Sequence, residues 1–277
     1  MANEHPVALI VRAAGTNCDA EMARAFALAG AAPELVHIDR LAADPALLER
    51  GALIGLPGGF SYGDDVASGR LLAARVRARL LDAIRAAVDR GAAVIGVCNG
   101  FQVLVQAGLL PGWPDQDGPV AALVDNASAR FIDRWAPVEA PAGGHASRCV
   151  WTEPLRNAQT GAGDGDGAVL PVAHAQGRFI APAAALERLE AEGHVALRTV
   201  DDVNGSMNRI AGLCDATGRV LGLMPHPERF LEWNRHPWAT RLAPETMALG
   251  APGLAMFESA VASVASATPG AAAVTRT

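Results

Sequence analysis

Gly91-Ala92-Ala93-Val94-Ile95-Gly96-Val97-Cys98-Asn99-Gly100-Phe101-Gln102 reads as a strand, a sharp turn and the start of a helix. Ala93 to Val97 is a short apolar run with the look of a buried strand, and Phe101 to Ala107 has the composition of an apolar helix. Between them the frame Gly96-x-Cys98-x-Gly100 is the thiol version of the G-x-S-x-G nucleophile elbow. Small residues flank the nucleophile because the chain must reverse from strand to helix with almost no room for side chains. Such a turn lifts the sulfur off the sheet edge and sets it near a helix N-terminus, where unpaired N–H groups favour the thiolate. A buried cysteine at a strand end would look the same from this stretch alone. A base elsewhere in the chain decides between the two.

Working outward, Val7 to Val11 is a β-branched run suited to a buried parallel strand, and the helical spacing of Met22, Phe26 and Ala29 follows, stopped by Gly30. Leu35 to Ile38 and Ala52 to Leu56 read as further strands, and Leu71 to Arg90 as one long helix with Leu72, Val76, Leu80, Ile84 and Val88 at four-residue spacing. Strand–helix alternation of this kind predicts an α/β fold: a mostly parallel open sheet with helices on both faces. After Pro111 the pattern changes to strand-like pieces separated by turns: Val120 to Val124, Ala129 to Val138, Arg148 to Thr152, Val169 to Ala173 and Val195 to Val200. These are expected to add antiparallel strands to the same domain. Val220 to Met224 reads as a last buried strand and Pro252 to Ala265 as a helix. Residues 1–265 therefore read as one domain, with a surface loop at Gly161 to Gly167 and a frayed tail over 266–277.

The 277 residues suffice for one large α/β core, and 51 % of them are hydrophobic, which argues against disorder in the body of the chain. All 23 basic residues are arginine, and the net charge of −6 argues against nucleic acid or an anionic membrane as partner. Cys18, Cys98, Cys149 and Cys214 lie far apart, without a C-x-x-C pair. The polar start Met1 to Pro6 leads straight into a strand, and no apolar run reaches the roughly 18 residues that span a bilayer. A reducing, cytoplasmic setting is expected.

Only about 3 % of a free thiol is ionised at neutral pH, so a catalytic cysteine needs an imidazole beside it. Of the seven histidines, His226 follows a buried strand that in a parallel sheet ends at the same carboxyl edge as the Cys98 strand. Glu228 follows two residues later, and in extended backbone residues i and i+2 point the same way, so His226-Pro227-Glu228 can present imidazole and carboxylate together. Nucleophile, base and orienting carboxylate then stand in the order Cys98, His226, Glu228. The N–H of Asn99 supplies one oxyanion donor, and Gly58-Gly59-Phe60 is suited to supply the second. Neither G-x-G-x-x-G after the first strand nor a Walker lysine is present, so no nucleotide is expected on this chain.

The elbow G-V-C-N-G-F-Q, the loop L-P-G-G-F-S-Y-G-D-D and the element M-P-H-P-E-R together resemble the class I, triad-type glutamine amidotransferases. Gly15-Thr16-Asn17-Cys18-Asp19, Asn204 to Gly212 and Phe257 to Val261 narrow the resemblance to the glutaminase subunits of phosphoribosylformylglycinamidine synthase, over about residues 7 to 265. The resemblance implies that Cys98 attacks the side-chain amide of L-glutamine, that His226 moves the proton to the leaving ammonia and that Glu228 orients His226. It implies an oxyanion held by the backbone around Gly59, Phe60 and Asn99, and Gln102 as a substrate-positioning group. It also implies a separate ATP-dependent synthetase subunit as partner, with ATP and magnesium on that subunit and no metal or cofactor on this chain, and a small accessory subunit. An amidotransferase serving another synthetase and a non-catalytic scaffold are the alternatives.

One departure stands out. Where relatives read H-G-E-G, this chain has His174-Ala175-Gln176-Gly177, so the acid is replaced by Gln176. His174 is open to two readings, a substrate-site residue or a packed structural one, and Cys18, lacking a triad partner in sequence, reads as structural.

Overall fold

Strands β1 (Val7–Arg12), β2 (Ala32–His37), β3 (Leu53–Leu56), β4 (Ala93–Val97) and β11 (Val220–Leu223) are short, and the last three are buried along their whole length. Runs of this kind form where helices cover both faces of a parallel sheet. In the computed structural model these five lie side by side and parallel in the order β2-β1-β3-β4-β11. Residues 5–64, 66–156, 168–248 and 250–266 are described; the Gly161–Gly167 segment and the tail beyond residue 266 lie outside them. The sheet continues through β10 (Ile210–Cys214), β9 (Val195–Thr199), β6 (Ile132–Glu139) and β7 (Val169–His174), all antiparallel to their neighbours, to nine strands. β5 (Ala122–Asp125) and β8 (Gln176–Ile180) form a separate antiparallel pair. The expected mostly parallel sheet with antiparallel additions is what the chain builds.

Helices cover both faces. α1 (Asp19–Leu28) lies over Gly55, where an added Cβ would meet the Met22 sulfur at 2.4 Å. α5 (Asn99–Ala107) lies over Gly96, where an added Cβ would meet Leu104 at 2.6 Å. Gly55 pairs with Ile95 in register, and Gly96, one residue on, points the other way, so α1 and α5 sit on opposite faces. On the α1 face Phe26 packs edge-on to Trp151 and Phe257, with centroids 6.3 and 5.0 Å away.

The long helix expected over Leu71 to Arg90 is two, α3 (Arg70–Arg79) and α4 (Leu81–Asp89), broken at Leu80 with φ −125°. Four-residue spacing advances about 40° per step beyond a full turn, so five such positions wander off one face of a straight helix. The break lets Leu72 and Val76 on α3, and Ile84 and Val88 on α4, all stay buried. Arg148 to Thr152 is not a strand either. Cys149, Trp151 and Thr152 are all fully buried, a pattern without strand alternation, and the Arg156 guanidinium gathers the carbonyls of Ala146, Ser147 and Cys149 into successive turns.

Five elements escaped the sequence reading altogether: α2 (Ile38–Ala43), β8, α6 (Ala183–Glu192), β10 and α7 (Pro244–Ala248). At the C-terminal end Pro244–Ala265 is, by length and composition alone, long and apolar enough to cross a membrane. It folds as two helices, α7 (Pro244–Ala248) and α8 (Pro252–Ala265), and α8 buries Met256, Phe257, Ala260 and Val264. Its apolarity is that of a core helix.

The consequence for function lies at one edge. Leu56 pairs with Gly96, and Gly96 with Gly222, so β3, β4 and β11 end level with one another. The segments starting at Pro57, Cys98 and Met224 therefore leave the sheet together.

Candidate active site

Cys98 sits at the junction of β4 and α5 with φ 52° and ψ −104°, a conformation that non-glycine residues avoid. Its N–H is held by the Leu223 carbonyl at 2.8 Å, across the β4–β11 pair, so neighbouring structure enforces the strained turn. The helix can start so close to the sheet only because of Gly100, where an added Cβ would lie 1.9 Å from the Leu56 carbonyl oxygen. Cys98 is 8 % exposed, and that exposure opens on a cavity of about 470 Å³ at the sheet's carboxyl edge.

His226 and Glu228 arrive from β11. The His226 N–H donates to the Pro171 carbonyl at 2.7 Å, which pins the segment against β7. Residues 227–229 form one 3-10 turn with Pro227 at its start, not the extended backbone expected, because the Arg229 N–H closes back on the His226 carbonyl. The turn still brings ring and carboxylate together: His226 Nδ1–H donates to Glu228 Oε1 at 2.7 Å, both side chains being at most 2 % exposed. That bond fixes the ring's orientation and leaves Nε2 buried with no hydrogen-bond partner among the described residues. Burial alone pushes the imidazolium down. The Glu228 carboxylate, then the sulfurs of Cys18 and Cys98, outweigh it and hold His226 well above its ordinary range.

The Gly58-Gly59-Phe60 loop comes off β3 on the other side of Cys98. A Cβ at Gly58 would lie 2.9 Å from His226 Cε1 and 3.5 Å from Cys98 Cβ, so a side chain there would displace His226. Gly59, at φ +144°, has an N–H with no hydrogen bond among the described residues. The Phe60 N–H donates to the Gly15 carbonyl at 2.9 Å, so the expectation that Phe60 contributes an oxyanion donor is corrected: its donor belongs to the loop's own anchoring. Its ring is half-exposed and lines the cavity. Asn99 joins this loop to the elbow, its Oδ1 accepting from the Ser61 N–H at 3.3 Å and its Nδ2 donating to Gln102 Oε1 at 3.0 Å.

Gln102 also lines the cavity, but its amide is engaged on both sides, by Asn99 and by the Gln176 carbonyl at 2.6 Å. It therefore holds the β7–β8 turn in place and reaches a substrate only through that turn. Gln176 itself accepts from Ser68 and donates to Asp125 Oδ1 at 2.9 Å. A carboxylate at 176 would face the Asp125 carboxylate, and the neutral amide avoids that repulsion. His174 stands on the cavity wall, 5 % exposed, with Nδ1–H donated to Asn126 Oδ1 at 3.0 Å. Burial, reinforced by the nearby His226 charge, lowers it to about 4, so it is a packed neutral imidazole at the edge of the site.

Two residues at the site were missed. Cys18 is no distant structural thiol: it lines the cavity, and its sulfur lies within 4.8 Å of a His226 nitrogen and a Glu228 oxygen. Arg229 follows Glu228 and donates to Cys18 Sγ at 3.1 Å. The sequence signal was the Cys18 motif itself, but nothing local says that the β1–α1 turn folds against the β3 loop. A strained thiol, a buried imidazole fixed by a carboxylate, and backbone donors around them suit attack on a carbonyl through a covalent acyl intermediate.

Residues 5–264 match the family described as the CobB/CobQ-like glutamine amidotransferase domain. The chain is 38 % identical over 260 residues to phosphoribosylformylglycinamidine synthase subunit PurQ of Dehalococcoides mccartyi, covering 91 % of this chain and 95 % of that one. It is 37 % identical over 250 residues to the subunit of the same name in Treponema denticola, covering 80 % and 87 %. Among solved structures it superimposes on a chain of PurLQS from Thermotoga maritima with a TM-score of 0.67 at 32 % identity, covering 93 % and 98 %.

Proposed function

The chain belongs to the CobB/CobQ-like glutamine amidotransferase family, and within it to the PurQ subunits of phosphoribosylformylglycinamidine synthase; from that premise we propose that Cys98, His226 and Glu228 carry its chemistry. It is the glutaminase subunit of that synthase, working with the PurL synthetase subunit in purine biosynthesis. L-Glutamine is hydrolysed to glutamate, and the ammonia goes to the ATP-dependent conversion of formylglycinamide ribonucleotide to the amidine.

The observation that carries the residue assignment is the 2.7 Å His226–Glu228 bond, which leaves Nε2 unpaired at the edge where Cys98 emerges. In the first half-reaction the Cys98 sulfur, as the thiolate beside the protonated His226, attacks the amide carbon of glutamine, and the carbonyl electrons move to the oxygen. The N–H groups of Gly59 and Asn99 receive that oxyanion; losing one such donor costs about 3–4 kcal/mol of transition-state stabilisation. His226, held charged by Glu228, gives its Nε2 proton to the leaving nitrogen, ammonia departs and a glutamyl thioester remains. His226, now neutral, takes a proton from water as the hydroxyl adds to the thioester carbon; the C–S bond breaks, glutamate leaves with its carboxyl proton passing to the released ammonia, and thiolate and imidazolium are restored.

Each step uses side chains and backbone of this chain, and none calls on a metal or a nucleotide. We assign ATP and magnesium to the synthetase, and extend to this protein a small third subunit and a cytoplasmic location. Incubation of the assembled complex with a diazo-ketone analogue of glutamine tests the site. The expected product is a single adduct on Cys98 that glutamine suppresses; a complex that turns over glutamine yet stays unlabelled at Cys98 contradicts the assignment.

A further inference from the structure

Cys18 is buried, touches the catalytic histidine's surroundings and has no part in the reaction just described. It stands at the N-terminus of α1, and its own N–H is bound to the Gly58 carbonyl at 3.2 Å, so the backbone delivers the sulfur to the back of the triad. A Cβ on Gly58 would meet Cys18 Sγ at 3.2 Å and His226 Cε1 at 2.9 Å, so sulfur and ring share one small space. The Cys18 S–H points to Asn17 Oδ1 at 3.2 Å, while its sulfur accepts from the Arg229 guanidinium at 3.1 Å.

Arg229 is the key to what this does. It is half-buried, adjacent in sequence to Glu228, and attracted by Cys18, Glu228 and the Glu21 carboxylate of α1. A half-buried guanidinium needs an acceptor, and a carboxylate is the stronger one. Yet Glu228 Oε2 has no hydrogen-bond partner among the described residues, and the guanidinium is seated on sulfur. Were Arg229 to turn onto Glu228, the carboxylate would divide its charge between two cations and hold His226 less well. We propose that Cys18 is a positioning residue of the triad: by seating the Arg229 guanidinium on its sulfur, it reserves Glu228 for His226. This rests on the reading of His226 as the acid–base group given above.

The charged and titratable groups facing His226 are Glu228 and Arg229 from its own turn, Cys98 from the elbow, Cys18 from the β1–α1 turn and His174 from β7. With Arg229 drawn onto Glu228, the imidazolium persists to a lower pH. The test uses the synthetase complex carrying Cys18→Ala, Cys18→Ser, or Cys18→Ala with Arg229→Met. Cys18→Ala should lower glutamine-dependent kcat about tenfold and move the alkaline limb of kcat/KM down by about one pH unit, with ammonium-dependent synthesis unchanged. Cys18→Ser, which keeps an acceptor for Arg229, should recover most of the rate, and Arg229→Met should restore part of it in the alanine background. Equal impairment of the alanine and serine variants, or no change of pH profile in either, overturns the proposal. Abolition of glutamine use by Cys98→Ala stands apart from either outcome, so the triad assignment and the role of Cys18 fail separately.

Discussion

His226 and His174 stand on the wall of one cavity, yet burial has opposite results for them. His226 has Glu228 at 2.7 Å and is held charged, whereas His174 has the neutral Asn126 at 3.0 Å, is buried beside the His226 charge and is lowered to about 4. The sign of the stability effect follows. A base lowered on folding binds fewer protons than the unfolded chain between its folded value and about 6.5, so acidification through that window destabilises the fold. His226, raised on folding, works the other way and loses its contribution only as pH rises through its folded value. Between pH 6.5 and 4, His174 is expected to withdraw about 3 kcal/mol of stability, and His174→Gln should flatten the slope of unfolding free energy by that order. Denaturant titrations at pH 7 and pH 4.5 measure it; identical slopes in the two proteins would show that the buried imidazole is not the cause. At this scale the convergence of Cys98, His226 and Glu228 on one edge was legible because each sits in a short motif with glycine or proline close by. Arg229 and Cys18 were not, because their contact joins residues 211 positions apart.

Among the elements, the decisive arrangement is the level ending of β3, β4 and β11. The apolar runs disclosed these strands, and the carboxyl-edge rule for parallel sheets placed Cys98 and His226 at one edge. The antiparallel half was harder to read. β10 lies inside a stretch whose glycine and polar residues resemble a turn, and the supposed strand at Arg148 to Thr152 is held in turns by Arg156. Helix α5 offers a test of how tightly the elbow is set. Alanine is the better helix former by about 1 kcal/mol, but at Gly100 its Cβ would lie 1.9 Å from the Leu56 carbonyl oxygen. Gly100→Ala should therefore lose about 1–3 kcal/mol of stability in thermal unfolding and most glutaminase activity, since α5 must retreat and carry Cys98 with it. A stabilised, active variant would mean that the helix–strand contact is looser than described.

The whole molecule is a glutaminase that gathers its machinery from nearly the full length of the chain. The turn at Cys18, the loop at Gly59, the elbow at Cys98, the β7 wall at His174 and the His226 turn meet at one cavity. An acidic protein of net charge −6 with a cavity of about 470 Å³ suits a small polar substrate, and its product is consumed on another subunit. Glutamine use and amidine formation should therefore separate cleanly. The central measurement is synthesis of formylglycinamidine ribonucleotide by the reconstituted complex carrying Cys98→Ala, with glutamine and then with ammonium salts as nitrogen donor. Glutamine-dependent synthesis is expected to fall by at least about 10³-fold, with ammonium-dependent synthesis kept at the wild-type rate. Persistence of the glutamine-dependent rate, or loss of both, would contradict Cys98 as the nucleophile of a subunit whose task is to supply ammonia.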